Sequence, residues 1–259
     1  MPDFDVNTPH IARIYDYWLG GKDHFEADRN AAEIALAATP TIVPGVRANR
    51  RFLGRAVRYM AAENGIRQFL DIGTGIPTSD NTHEVAQRVI PQASVVYVDN
   101  DPIVLAHARA LLTSATGPTA YIDADAREVG RILDEAAGTL DFGQPVGIML
   151  IALLHCIPDE DNPGQLVRDL MAAVPAGSFL AVTHPARDQL AVATKAEESL
   201  TKSTGQKVTF RSRDEVAGFF AGLELVEPGV VPVQEWRATS ELDFNSAPTA
   251  MWGGVGQKA

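Results

Sequence analysis

Between residues 9 and 19 the apolar side chains Ile11, Ile14, Tyr15, Trp18 and Leu19 fall three or four positions apart, a spacing that predicts a helix with one apolar face. Thr8-Pro9 supplies a start signal and Gly20-Gly21 a stop. Residues 26–39 and 46–64 repeat the rhythm and predict two more helices, parted by a turn at 40–45 and closed by Asn64-Gly65. Residues 1–64 thus read as an N-terminal helical cap, and 65–259 as one compact core. Within the core, short apolar runs at 67–71, 94–98, 119–122, 146–151 and 178–183 alternate with helical stretches at 81–89, 101–112, 127–137 and 163–174. Strands separated by helices pair in parallel through right-handed crossovers, so the expected fold class is α/β. After two further helices, at 189–200 and 213–220, strands at 223–226 and 250–255 have no helix between them and predict an antiparallel hairpin. Their connection, 227–248, is long for a compact domain and is a candidate substrate wall carrying Gln234-Glu-Trp236-Arg237.

A chain of 259 residues with 46% hydrophobic content can bury one full core. Its net charge of -11 opposes attraction to phosphate backbones, so nucleic acid is not the expected partner. The arginines at 47, 50, 51, 55 and 58 read as the solvated face of a helix. One cysteine, Cys156, excludes an internal disulfide and a cysteine-rich zinc site. Asp159-Glu160-Asp161 ahead of Asn162-Pro163 reads as helix capping, and no metal is expected. The longest apolar run, 146–154, is too short to cross a bilayer and the N-terminus is acidic, so a soluble, cytoplasmic protein with no membrane partner is expected. The oligomeric state is left open.

The candidate chemistry centres on Phe69-Leu-Asp-Ile-Gly-Thr-Gly-Ile-Pro-Thr78. An apolar strand ends on Asp71, and Gly73 and Gly75 then let the backbone turn tightly against a ligand. A second strand runs into Asp99, 24 residues after Gly75. A glycine turn followed by an acid at the end of the next strand is how a doubly wound sheet grips an adenosine ribose. The third glycine of the dinucleotide fingerprint is replaced by Thr78, beside Pro77, which argues against nicotinamide and flavin dinucleotides. No tyrosine has a lysine four residues on, G-x-S-x-G is absent, and His83-Glu84 lacks the second histidine of H-E-x-x-H, so short-chain dehydrogenases, α/β-hydrolases and zincins are excluded. Tyr17, Gly20 and Gly21, leading into Lys22-Asp-His24, place polar groups beside a freely turning backbone, suited to closing over a ligand.

Asp-x-Gly-x-Gly after a strand resembles the first motif of class I methyltransferases that use S-adenosyl-L-methionine. The resemblance extends over the chain. Tyr15-Asp-Tyr-Trp-Leu-Gly-Gly-Lys-Asp23, the 69–78 loop, Tyr97-Val-Asp-Asn-Asp-Pro102, Leu154-His-Cys-Ile-Pro-Asp-Glu-Asp161 and Trp252-Gly-Gly-Val-Gly256 together are similar to a bacterial S-adenosyl methyltransferase family long known as a domain of unknown function. Trp18 stands where an aliphatic residue is expected. The resemblance implies a Rossmann-like sheet of seven strands, mostly parallel with the last antiparallel, under the helical cap. It implies S-adenosyl-L-methionine as cofactor and S-adenosyl-L-homocysteine as product, and brings no methyl acceptor; with nucleic acid disfavoured by the charge, an unidentified small-molecule acceptor is expected. By the same resemblance, the loop of Gly73, Thr74, Gly75 and Thr78 passes the methionine moiety, with Asp71 orienting that loop or meeting the amino group, and Asp99 takes the ribose hydroxyls. Asn100 and Asp101 then border the adenine, Asp125 with Ala126 receives its amino group, and the backbone at Ile151 and Ala152 meets the cofactor amine. His155 follows as a candidate base for an oxygen or nitrogen acceptor, or as a residue that merely closes a strand; His184 carries the same two readings. The alternative function is a sensor that binds S-adenosyl-L-methionine without transferring its methyl.

Overall fold

The computed structural model describes residues 5–111, 116–189, 193–244 and 249–259. Three helices come first: α1 (Ile11–Leu19), α2 (Glu26–Ala38) and α3 (Ile42–Arg58), the last running on through a π-helical turn at Tyr59–Glu63. Strands and helices then alternate as β1 (Gln68–Ile72), α4 (Thr82–Val89), β2 (Ser94–Asp99), α5 (Pro102–Leu111), β3 (Thr119–Asp123), α6 (Val129–Ala136), β4 (Gly147–Ile151), α7 (Pro163–Ala172) and β5 (Phe179–Pro185). The chain closes with α8 (Ala193–Thr204), α9 (Arg213–Gly218), β6 (Glu224–Leu225), β7 (Val231–Pro232), α10 (Glu241–Phe244) and β8 (Met251–Gln257). Residue 112 of one predicted helix, 190–192 of another and 245–248 of the long connection lie outside the described residues.

The sheet runs in the order β3-β2-β1-β4-β5-β8-β6, with β7 also paired to β8. Strands β1 to β5 are parallel, and β8 is antiparallel to β5, β6 and β7. The mostly parallel α/β fold is as the sequence predicts, but among the described residues the strands number eight rather than seven. The extra one, β7, is two residues long and contains a proline, so it offers neither the run nor the alternation that marks a strand. It sits within the 227–248 connection, which also supplies the fully buried Trp236.

Successive side chains of the central strands point to opposite faces, and both faces are covered. Leu70, Ile72, Val96, Val98, Ile148 and Leu150 pack with α6, α7 and α9, while Phe69, Val95, Tyr97 and Met149 pack with α3 and α4. Each fully buried aliphatic contributes about 1.5–3 kcal/mol, so the strand ends stand on a rigid base. Two helices begin elsewhere than predicted. The N-cap of α1 is His10 rather than Thr8. Helix α3 starts at Ile42 instead of 46, because a proline in the first turn has no intrahelical partner to lose and Pro44 is therefore tolerated there.

Helix α3 lies on the sheet. Helices α1 and α2 instead build a separate apolar cluster with α8, in which Ile14, Trp18, Ala32 and Ala35 meet Ala196, Leu200 and Phe210. Polar contacts tie this layer to the sheet. His10 Nδ1 lies 2.9 Å from Asp101 Oδ2, and Arg13 Nε lies 3.3 Å from Asp28 and 4.0 Å from Asp101. Among the described residues no helix is long and apolar enough to cross a membrane.

Candidate active site

At the carboxyl ends of β1 to β4, beneath α1 and α3, lies a cavity of about 360 Å³. That edge is where an open α/β sheet collects ligand-binding groups, since each strand delivers its last side chain and the following loop there. The first group is the loop after β1. Gly73 (φ 73) and Gly75 (φ 65) both adopt the left-handed conformation that side chains resist. A Cβ on Gly73 would fall 2.6 Å from Leu153, whereas one on Gly75 would meet nothing within 4 Å. Gly73 is thus packed against protein, and Gly75 faces open space inside the cavity.

Asp99 joins this loop directly. Its Oδ2 accepts the Gly75 N–H at 2.8 Å and its Oδ1 accepts the Asp101 N–H at 3.0 Å. Burial raises its pKa, against the pull of those two N–H donors. Each oxygen keeps a lone pair for a ligand. Asp71 is committed elsewhere: it accepts the Thr82 hydroxyl at 2.6 Å, joining the end of β1 to the first turn of α4. Burial pushes its pKa up to about 6, with Thr82 and Arg50 pulling the other way.

Thr74, Thr78, Asn100, Asp125, Ala126, Ile151, Ala152 and His155 also line the cavity. Both oxygens of Asp125 are occupied by Arg127, at 2.8 Å from Nε and 2.7 Å from Nη2, and Asn100 donates to it at 3.4 Å. Arg127 holds its carboxyl below the ordinary range. Asp123, two residues back, is outside the lining. Ala152 has φ 52, a left-handed conformation that costs a non-glycine residue about 1–2 kcal/mol. Its N–H donates to Thr183 Oγ1 at 2.8 Å, and the chain turns there into the short helix Leu154–Cys156. His155 is buried with an unpartnered Nδ1, and burial followed by the nearby Arg211 guanidinium pushes its pKa down to about 4. It is therefore neutral but weakly basic at neutral pH. His184 does not line the cavity; it packs behind, 2.9 Å from Arg211 Nη1. Burial pushes the Cys156 thiol up to about 12, with Asp99 adding to the effect, so it stays protonated.

Four other predicted residues do not line this cavity. Asp101 turns to the Ile103 N–H (2.8 Å) and to His10. Tyr17 points to α2, where its hydroxyl donates to Glu33 at 3.0 Å. Gly20 is the left-handed cap of α1, and Gly21 lies so close to the Asp16 carboxylate that a Cβ would overlap it. Asp16 in turn accepts the Asp23 N–H at 2.9 Å and pairs with His24 at 3.0 Å, so the glycines fold a turn around a buried acid. Neighbouring positions replace them in the lining: His10, Tyr15, Asp16, Trp18 and Leu19.

Sequence reasoning missed Arg50. It lines the cavity, donates to Ser79 O (3.2 Å), Asp80 O (3.3 Å) and Asn81 Oδ1, and keeps a buried Nε without a partner. The signal available was five arginines within twelve residues of a predicted helix, too many for an ordinary solvated face in an acidic chain. Among the described residues no group of three or more His, Cys, Asp or Glu could hold a metal.

The whole chain, residues 1–259, matches a family described as S-adenosyl methyltransferase. A crystal structure of a DUF574 family protein from Streptomyces avermitilis is 42% identical, with a TM-score of 0.94 over 98% of this chain and 99% of that one. A suspected methyltransferase from Thermobifida fusca is 40% identical, with a TM-score of 0.92 over 99% and 97%. The plantazolicin methyltransferase BpumL, solved in complex with S-adenosylhomocysteine, shares the fold at 12% identity and a TM-score of 0.52 over 96% and 95%. No curated protein sequence matches the chain.

Proposed function

Because the chain belongs to the S-adenosyl methyltransferase family and is an S-adenosylmethionine-dependent methyltransferase, we propose that the loop of Gly73 to Thr78, Asp99 and Arg50 hold the donor, and that the acceptor is a small molecule. The observation that carries this reading is the join between Asp99 and the Gly75 N–H beside an unobstructed Gly75 face. A carboxylate already fixed by two backbone N–H groups needs no reorganisation to receive the paired hydroxyls of a ribose. Arg50, the cation at the loop, lines the cavity and offers its guanidinium charge to the donor's amino-acid carboxylate. Asn100, Asp125 and Ala126 form the rim assigned to the adenine, and Ile151 and Ala152 the wall beside the amino group. Tyr15, Trp18 and Leu19 of α1 roof the cavity, so we assign to α1 and α2 the role of cap.

When bound, the donor supplies a methyl already activated on a sulfonium. The protein's part is to align the acceptor behind that methyl and exclude water. The apolar wall of Ile11, Trp18, Ile42, Leu200, Phe210 and Met251 suits a small acceptor held away from solvent. His155, with its pKa near 4, serves better as a neutral hydrogen-bonding wall than as a base. A crystal soaked with S-adenosylmethionine tests the assignment: the ribose is expected within hydrogen-bonding distance of Asp99. Donor density away from the Gly75 face would refute it.

A further inference from the structure

Behind α1 a second, open groove of about 770 Å³ adjoins the donor cavity, and Asp16, Leu19, Arg50 and Thr78 line both. Arg47, Arg50, Arg51, Arg55 and Arg58 of α3 all line it, joined by Arg88 and Arg237. At 100° per residue, the five α3 arginines and Gly54 fall within an arc of about 140°, opposite the buried Phe52 and Ala56. Arg47 and Arg58 stand about 16 Å apart along the helix at 1.5 Å per residue.

The acids in the groove do not neutralise this face. Asp243 is held by Arg51 (2.7 Å) and Arg55 (2.9 Å), Asp80 by Arg88 (2.6 Å), and Glu63 by Arg237 (2.7 Å). Asp16 is taken by the Asp23 N–H and His24, and the Asp23 carboxylate, which also lines the groove, lies 3.7 Å from His107. Arg47 and Arg58 are exposed and have no hydrogen bond or ion pair among the described residues, and Arg50 donates only to uncharged oxygens. Two guanidiniums, those of Arg47 and Arg58, are thus uncompensated on one face of a chain whose net charge is -11, while Arg50 is balanced in part by the buried Asp71 carboxyl. Self-attraction within an acidic protein would readily have supplied them with carboxylates. Gly54 lies among them inside a helix, where glycine costs about 0.5–1 kcal/mol relative to alanine, yet a Cβ there would meet nothing within 4 Å. No packing requires that glycine; it keeps the groove floor low.

We propose that this groove is the subsite for the anionic part of the methyl acceptor, a small molecule carrying two or more phosphate or carboxylate groups. Arg47 and Arg58 hold those groups, and the end to be methylated reaches past Leu19 and Arg50 toward the donor. The proposal rests on the donor assignment above and deepens it. Guanidiniums bind either oxyanion through paired N–H donors, and their spread matches an extended ligand better than a single ion.

The test titrates the full-length, S-adenosylhomocysteine-loaded protein with inorganic tripolyphosphate and, separately, citrate by calorimetry. At least one binds; the tighter of the two identifies phosphate or carboxylate as the group recognised. R47Q/R58Q weakens that binding about 5- to 30-fold, since each lost charge pairing is worth on the order of 0.5–1 kcal/mol in solvent, while S-adenosylhomocysteine affinity stays the same. Gly54→Leu, which leaves every charge in place, weakens it as well. Failure of both anions to bind, or binding unchanged in both variants, overturns the proposal. Tighter binding of a single-stranded RNA of twenty nucleotides than of either anion also overturns it, pointing instead to nucleic acid. Loss of S-adenosylhomocysteine binding in Asp99→Asn with the groove titration intact separates the two readings, because only the donor site then changes.

Discussion

Replacing Asp99 with asparagine changes one atom at the point where the glycine loop meets the second strand and to which the donor's ribose is assigned above. Both carboxylate oxygens now accept a backbone N–H, from Gly75 at 2.8 Å and from Asp101 at 3.0 Å. An amide has one acceptor oxygen, so in either rotamer its NH2 faces one of those donors. Leaving one N–H unpaired costs about 1–3 kcal/mol of stability. Burial disfavours the native carboxylate, as its raised pKa shows, and removing the charge recovers part of that loss. Net stability therefore shifts by only a few degrees in Tm. Binding responds differently, because the ribose loses a charged acceptor and a hydrogen bond to a charged group is worth about 1.5–3 kcal/mol. Donor affinity should fall about 10- to 100-fold, at 1.4 kcal/mol per tenfold. Calorimetry with S-adenosylmethionine at pH 7.5 measures it directly. A Kd within threefold of the parent, in a variant that melts normally, would refute the assignment of Asp99 to the ribose.

Gly75→Ala should melt about 1 kcal/mol less stably than the parent yet lose donor affinity out of proportion, because its methyl enters open cavity; Gly73→Ala should do the reverse, unfolding much earlier as it meets Leu153 at 2.6 Å. Thermal melts paired with calorimetry distinguish the two. Two buried groups impose opposite pH slopes on stability. His155, with a folded pKa near 4 against 6.5, supports the fold fully above pH 6.5 and loses about 3 kcal/mol as pH falls toward 4. Asp71, raised from 3.8 to about 6, destabilises the fold by a similar amount as pH rises through that window. Urea midpoints of Asp71→Asn should therefore drop from pH 7 to 4 relative to those of His155→Phe, and parallel curves would rule out the pair. Asp16→Asn should loosen the turn that accepts the Asp23 N–H and His24, seen as faster proteolysis between residues 19 and 25.

The alternation of apolar runs and helical stretches was sufficient for the parallel sheet, because strands buried on both faces need continuous apolar residues that little else in a sequence mimics. Strand β7 escaped because two residues with a proline carry no period. The motif around 15–24 shows a different limit. Its glycines mark a backbone turn, but a sequence cannot say whether the turn wraps a ligand or a neighbouring acid; here it wraps Asp16. Tyr17 has helical spacing compatible with either side of α1, and only the position of Glu33 on α2 shows which way it points. That Asp71 and Asp99 line the cavity was legible because strand ends deliver their side chains to one predictable edge. Arg50 was not, since helical periodicity defines a face but not the surface opposite it. Arg50 looked solvated because the loop 77–81 that covers it is remote in sequence.

The roof of the cavity joins α1 and α2 to α8, more than 150 positions further along the chain. During synthesis at about 5–20 residues per second, the first two helices leave the ribosome roughly ten to thirty seconds before their third partner exists. Ile14, Trp18 and Ala35 must wait with their apolar surfaces uncovered, or borrow a chaperone, while the strands assemble. Closure over that long loop is expected late in folding, so the cavity should gain its α1–α2 roof after the platform beneath it is built.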